Sequence, residues 1–409
     1  MIKKSLFLLF ILIVCFHAGF KGCRLYREKR PVHIYMDIAS IPAFLQMTDF
    51  VQVPKTDKKY IAWRRFPNRG KFFDLNSFNT QEIKMPVYES AYQETYSALD
   101  EALPEIVEQN PEGQFIIHGN LRHPYYTVMP ALKHIPPSRI KEIHLYEDGL
   151  GNLYEVWRRY ATSEYNWSEA CVQHIKDFQN KKTDSLRPQD MFCLYKLYPT
   201  TYHVSFIDML KKENDFKKFF ENLSERLVEI DFHKISKELS PDAKKFLYAM
   251  VGFNEKQYKE TTNGKKTLYY TLGWLQERSD NLLLVEIFNE LKNNELKRLL
   301  DNPDTVLFFK AHPATAAKSM KDELLKDNKD AIIFPRDIPL EILVIADLTP
   351  DYILGFSSTV FFAFEPEKIL YYLTINGDKN LQALKKLNII SEEKILDIHN
   401  FIKKDSQIQ

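Results

Sequence analysis

Glycine is scarce in this chain, at 12 of 409 residues. No Gly-x-Gly-x-x-Gly run occurs, which excludes the glycine-rich turn that lays a dinucleotide's pyrophosphate against a helix start. Cysteine is scarcer still. The four present (Cys15, Cys23, Cys171 and Cys193) form no Cys-x-x-Cys pair, and none lies near two histidines at zinc spacing. So few cysteines fit a fold that needs no disulfide, and they leave the compartment undecided. No Asp-x-Asp stands at a strand end to hold a divalent ion. The expectation is a protein with no metal and no cofactor. Net charge is also missing: 56 Lys+Arg against 55 Asp+Glu leaves +1, so there is no electrostatic case for nucleic acid. Repeats, Gly/Ser linkers and low-complexity segments are absent too.

What is present describes a sizeable α/β protein. A hydrophobic content of 44% is ample for a core, and 409 residues suit two domains better than one. Short apolar strands alternate with helical stretches. The first half predicts strands near 32–37, 60–66, 113–118 and 141–147. The second half predicts them near 266–272, 304–310, 331–334, 351–355 and 368–373. Between lies a stretch, about 165–260, with no clear strand. It shows helical periods such as Lys217-Phe219-Phe220-Leu223 and Ala243-Phe246-Leu247-Met250. This divides the chain into a first segment 1–30, a domain 31–190, a domain 191–390 and a terminal segment 391–409 expected to pack back on the first domain.

Lys3 and Lys4 precede an apolar run from Leu6 to Phe16, and Lys21, Arg24, Arg27, Lys29 and Arg30 follow it. The length suits a secretory h-region or a short membrane anchor. The downstream cations favour keeping that side in the cytoplasm, and small-residue cleavage sites are lacking. The expectation is a chain held at the cytoplasmic face of a bacterial inner membrane.

Four tracts carry chemistry. The run 305–309 is a short apolar strand, and Lys310 and His312 stand at its carboxyl end, where open α/β sheets place their ligands. The strand 352–355 is followed by Ser357 and Ser358 before Thr359-Val360-Phe361-Phe362-Ala363. Hydroxyls and free N–H groups at a helix start favour an anion, although a plain N-cap reads the same way. The strand Ile143-His144-Leu145-Tyr146 ends on Glu147-Asp148-Gly149. That is either a turn or a carboxylate delivered above a sheet as a general base. The tract Phe115-Ile116-Ile117-His118-Gly119-Asn120-Leu121-Arg122-His123 reads as a strand and then a cationic turn. Its two histidines and one arginine point to an anionic substrate.

These tracts, in this order, resemble the bacterial sialyltransferases of glycosyltransferase family 80. Tyr35-Met36-Asp37-Ile38-Ala39-Ser40-Ile41-Pro42-Ala43 is similar to the family's opening strand. Tyr146-Glu147-Asp148-Gly149 is similar to its Tyr-Asp-Asp-Gly loop, and Leu247–Asn254 to the stretch entering its second domain. Phe309-Lys310-Ala311-His312-Pro313 is similar to its Phe-Lys-Gly-His-Pro motif, and Ser357-Ser358 to its phosphate-binding serines. The resemblance implies the GT-B fold, two Rossmann-like domains facing across a deep cleft. It implies inverting transfer of sialic acid from CMP-sialic acid to a galactose-terminated oligosaccharide or glycolipid, with lipooligosaccharide as acceptor and an α-2,3 linkage favoured. A cytoplasmic donor agrees with the expected placement at the membrane.

Residue by residue, the resemblance makes Asp148 the base and His312 the group that stabilises or protonates the phosphate. It gives the donor His123, Lys310, Glu341, Ser357, Ser358 and Gly273, and the acceptor Trp274 and Arg65. Ala311 stands where the family has glycine, and Glu147 where it has aspartate. Two other readings stay open. One is a GT-B transferase using another nucleotide sugar. The other is a non-catalytic protein that only holds an anionic sugar.

Overall fold

The computed structural model describes residues 31–66, 74–86, 92–273, 278–294, 296–312, 325–326, 328–356, 358–374, 379–386, 388 and 390–398. Two parallel sheets organise it. The first runs β3-β2-β1-β4-β5-β6-β7, with β1 Pro31–Asp37, β2 Lys58–Trp63, β3 Thr80–Glu82, β4 Gln114–Asn120, β5 Ile140–Tyr146, β6 Thr200–Val204 and β7 Leu227–Glu229. The second runs β10-β9-β8-β11-β12-β13, with β8 Lys266–Thr271, β9 Thr305–Lys310, β10 Ile332–Phe334, β11 Tyr352–Phe356, β12 Ile369–Thr374 and β13 Ile395–Asp397. Every described strand pair is parallel, as the alternation of strands and helices requires. This is the expected α/β architecture of two sheets, each flanked by helices.

Helices connect the strands: α1 Ser40–Phe50, α2 Tyr92–Gln109, α3 Pro124–His134, α4 Leu150–Val156, α5 Pro241–Val251, α6 Arg278–Asn293, α7 Glu341–Ile345 and α8 Lys379–Lys386. The central strands are buried on both faces, so β1 and β4 read as near-continuous apolar runs. Along β5 the parity is visible. Ile143 and Leu145 are fully buried on one face, while Glu142, His144 and Tyr146 take the other.

The first sheet extends to Glu229, so the expected boundary at residue 190 falls before two of its strands. β6 and β7 lie within the stretch that shows no strand signal. β6 is five residues long and reads Thr-Thr-Tyr-His-Val, and β7 is a three-residue edge strand with an exposed Val228. Neither has an apolar run to detect. Of the terminal segment, residues 399–409 lie outside the described ones. Residues 395–397 add β13 to the second sheet, and it is α8 that packs across onto α4 of the first domain. The two domains also meet through Phe206, whose left-handed φ of 57° points its ring edge-on at Phe362, centroids 5.7 Å apart. Cys171 and Cys193, on helical turns 169–179 and 188–196, are joined as a disulfide, contrary to the expectation of a fold without one. Spacing of 22 residues with no motif gave no sign of the pairing.

No helix among the described residues is long and apolar enough to cross a membrane. The apolar run of residues 6–16 lies outside them.

Candidate functional site

The carboxyl end of β5 delivers Glu147 and Asp148 to the gap between the sheets. Gly149, at φ 82°, makes the turn into α4 that a residue with a Cβ resists. The two carboxylates are held differently. Glu147 is buried and turns toward β6, where the Ser205 N–H and Oγ donate to it at 2.7 and 2.6 Å. The extra methylene relative to aspartate extends its reach toward that partner. Burial pushes its proton affinity up to about 7, against the Ser205 donors. The Asp148 side chain is 15% exposed and faces Arg122 Nη1 at 3.8 Å and His123 Nε2 at 3.9 Å. Burial raises Asp148 to about 6, held from going higher by the charges of Arg122 and Arg65. Such a carboxyl is poised to exchange a proton near neutral pH.

The loop carrying Arg122 and His123 is pinned from below. Asn120, the last residue of β4, accepts the N–H groups of Arg122 and His123 on its side-chain oxygen at 2.8 and 2.9 Å. Its amide donates to Asp37 at 3.0 Å. Asp37, at the end of β1, also accepts from the N–H groups of Ile38 and Ala39 and from Gln46 Nε2. Burial drives Asp37 up to about 8 despite these donors. Arg65 reaches the same region from beyond β2, its Nε donating to the Ile38 carbonyl at 3.2 Å.

The second sheet supplies the opposite wall. Lys310, at the end of β9, is buried and donates to the carbonyls of Arg336 and Ala311 at 2.7 and 3.0 Å. Burial lowers it to about 8, and the charge of Glu341 opposes that shift. Glu341 opens α7, is buried, and is raised by burial. His312 is pushed down to about 3, first by burial and then by the charges of Arg65 and Lys310. Arg65 therefore acts electrostatically on both Asp148 and His312, so one cation of the first domain stands within reach of both walls. Ser358 begins a 3-10 turn over Thr359–Ala363, shorter than the helix expected, and its Oγ accepts the Val360 N–H at 3.4 Å. Gly273 packs against Phe356. A Cβ there would meet that ring at 1.9 Å, so its place in the structure is a close approach of β8 to β11. Ser357 and Trp274 lie outside the described residues.

A cavity of about 280 Å³ separates the walls, lined by Glu147, Gly149 and Ser205 on one side and by Glu341 and residues 362–365 on the other. Of the predicted site residues that the structure describes, Glu341 alone lines this cavity. Asp148 is grouped with His123 at 3.9 Å and with the charge of Arg65 in the first domain, and His312 and Glu341 each interact by charge with Lys310 in the second.

His118 does not join them. It faces the buried side of the first sheet in a row of imidazoles, His33, His118, His144 and His203, with successive centroids 5.5, 4.8 and 5.4 Å apart. Burial holds His33 and His203 near 3 and His118 well below its usual value, so these three are neutral. The expectation that His118 and His123 act together in one turn is therefore corrected. Within β4, strand parity puts His118 on the sheet face, and the chain leaves the strand before His123. His33, Asp49 and His118 each offer a ligand atom within 4.8 Å of the others, one group able to hold a metal among the described residues. Both ring nitrogens of His118 already have partners, His33 at 3.2 Å and the Tyr146 hydroxyl at 3.0 Å. No motif marks this cluster, because its members come from three separate elements. Asp37 and Asn120 were likewise missed as supports. The signal for Asn120 was its place two residues after His118, on the same strand face and at the strand end.

The family model described as Sialyltransferase PMO188 matches residues 32–403. Among solved structures, the α/β-galactoside α-2,3-sialyltransferase of Photobacterium phosphoreum aligns at TM-score 0.73 and 20% identity, covering 91% of this chain and 100% of that one. The enzyme of Photobacterium damselae, residues 113–497 corresponding to its GT-B domain, aligns at TM-score 0.73 and 20% identity over 90% and 99%. A 2,6-sialyltransferase of a Photobacterium species, solved with CMP and lactose, aligns at TM-score 0.75 and 20% identity over 90% and 78%. No curated protein matches the chain.

Proposed function

From the premise that this chain belongs to the PMO188 sialyltransferase family and is a GT-B glycosyltransferase, we propose that it moves sialic acid from CMP-sialic acid to the galactose of a galactose-terminated glycan. The observation that carries the reading is Asp148, a carboxyl raised to about 6 that faces Arg122 and His123 at 3.8 and 3.9 Å, while the charge of Arg65 acts both on it and on His312 of the second domain.

In the proposed reaction, the acceptor hydroxyl attacks the anomeric carbon of the sugar acid. Its oxygen–carbon bond forms as the carbon–oxygen bond to phosphate breaks, CMP leaves with the electron pair, and Asp148 takes the proton. His312 faces the departing phosphate and donates to it. Lys310 and Glu341 hold the cytidine, with Glu341 accepting ribose hydroxyls. Ser357 and Ser358 hold the phosphate, His123 faces the sugar carboxylate, and Gly273 stands on the donor side. Trp274 and Arg65 belong to the acceptor side. No metal is required, because a single phosphate asks less of a divalent clamp than a diphosphate does. The acceptor is a lipooligosaccharide and the linkage α-2,3.

The neighbour solved with CMP and lactose supports a CMP donor and a galactose-bearing acceptor by analogy of fold. Nucleotide protection tests the donor. CMP raises the melting temperature, while UDP and GDP at equal concentration leave it unchanged. Protection by UDP instead assigns the chain another nucleotide sugar. Protection by free sialic acid, with no turnover, makes it a binding protein.

The residues 1–30 hold the enzyme at the cytoplasmic face of the inner membrane. Protease added to spheroplasts spares the catalytic part. Cleavage places it in the periplasm, an oxidising compartment in which the Cys171–Cys193 bond persists.

A further inference from the structure

The base side of the cleft holds a cation that the reaction as described does not use. Arg122 follows β4 and is fixed at its backbone, because its N–H donates to the Asn120 side chain at 2.8 Å. Its side chain is one-third exposed, against 15% for the two carboxylates it faces. Nη1 lies 3.8 Å from Asp148 and Nη2 lies 3.9 Å from Glu155. Both separations exceed hydrogen-bond length, and the two ends of the guanidinium point at different carboxylates, so neither pair closes into a fork. Glu155 already has a nearer cation, Arg159 Nη2 at 2.8 Å. Arg122 is thus weakly committed, solvent-accessible and next to Asp148.

We propose that Arg122 binds the carboxylate of the donor sugar acid, turning from Asp148 to that carboxylate when the donor enters and leaving Asp148 free to accept the acceptor's proton. This rests on the CMP-sialic acid reading. The chemistry follows from one carbon. In sialic acid the carboxylate is attached to the atom that is attacked. The base must lie near that atom, so the carboxylate comes within reach of whatever stands beside the base. A planar guanidinium matches a carboxylate at both oxygens, which a lysine or an imidazole does not. His123, lowered to about 4 by burial and by the Arg122 charge, offers a neutral N–H beside it and no competing charge. The exchange also acts on the base. The Arg122 charge holds Asp148 down in the free protein, and engaging that charge elsewhere restores basicity when a proton has to be taken.

The test compares two ligands that differ by the sugar acid, CMP and CMP-sialic acid, titrated into the full chain without acceptor. Arg122→Ala is expected to leave the Kd of CMP within about twofold and to weaken CMP-sialic acid by about tenfold or more, the usual cost of a lost charged hydrogen bond. Arg122→Lys keeps a charge without the fork and is expected to fall between them. A second readout follows the base. In Arg122→Ala the acid limb of kcat/KM is expected to move to higher pH. Equal weakening of both ligands, or of neither, overturns the assignment, as does an acid limb that stays in place. Wild-type protein that binds neither CMP nor CMP-sialic acid overturns the donor reading itself.

Discussion

The Asn120 amide donates to the Asp37 carboxylate at 3.0 Å while its oxygen receives the backbone N–H groups of Arg122 and His123. The ends of β1 and β4 thereby set the height of the loop that faces Asp148. Replacing Asn120 by Ala leaves two N–H donors and one buried carboxylate oxygen without these partners. The expected loss is about 1–3 kcal/mol of stability, read by denaturant unfolding, with a fall in kcat/KM larger than the change in CMP affinity. Turnover unchanged in a folded Asn120→Ala protein contradicts the positioning role.

Asp37→Asn makes a sharper case. Gln46 Nε2 donates to Asp37 Oδ2, and Gln46 Oε1 is committed to the Trp63 indole N–H at 2.8 Å. An amide at position 37 sets its NH₂ against the Gln46 NH₂, or gives up the donors on its other oxygen. Rotating Gln46 breaks the Trp63 bond. We expect destabilisation despite the near-identical shape, measured by thermal unfolding at pH 9, above the value of about 8 for Asp37, where its carboxylate accepts on both oxygens. A variant as stable as wild type contradicts this network.

Asp148 sets both an activity profile and a stability profile. Its native value of about 6 lies above the unfolded 3.8, so the native state keeps its proton longer as pH rises. Stability falls between about pH 4 and 6 on this account and stays lower above, by about 3 kcal/mol at most. Asp148→Asn is therefore expected to raise the melting temperature at pH 7.5 while turnover drops. Wild-type kcat/KM is expected to rise with pH through an apparent pKa near 6. A flat profile from pH 5 to 7, or an Asp148→Asn variant that melts lower, counts against this reading.

His312 is neutral in the free protein, held near 3 by burial and by Arg65 and Lys310. A phosphate arriving beside it reverses the local field. The imidazole nitrogen resonances of His312 are expected to titrate at distinctly higher pH with CMP bound than without. An unchanged midpoint removes His312 from the phosphate site.

Chelation tests the metal. Excess EDTA is expected to leave sialyl transfer intact, and the His33–Asp49–His118 group to act as a hydrogen-bonded support of the sheet. Full loss restored by one divalent ion contradicts both.

The strands near 32–37, 113–118, 141–147 and 304–310 were legible because parallel strands buried on both faces must be apolar throughout. Strands β6 and β7 were not. β6 exposes alternate threonine and histidine to a polar face, and β7 is three residues at an edge, so the boundary at 190 fell too early. Among the candidate residues, the positions of Asp148, His312, Lys310 and Glu341 at the ends of elements were legible because each follows a strong strand or opens a helix. The supports could not be read. Glu147–Ser205 and Asp37–Asn120 join residues 58 and 83 positions apart, and only the sheet order brings them together.

One assay bears most directly on the central claim. A chain starting near Glu28 is incubated with CMP-sialic acid and lactose, and sialyllactose and released CMP are followed for wild type and Asp148→Ala. The account predicts sialyllactose from wild type and a loss of at least about 10²–10⁴-fold in the variant, the contribution of a general base. Sialyllactose formed at near wild-type rate by folded Asp148→Ala, or no product from folded wild-type protein, contradicts it.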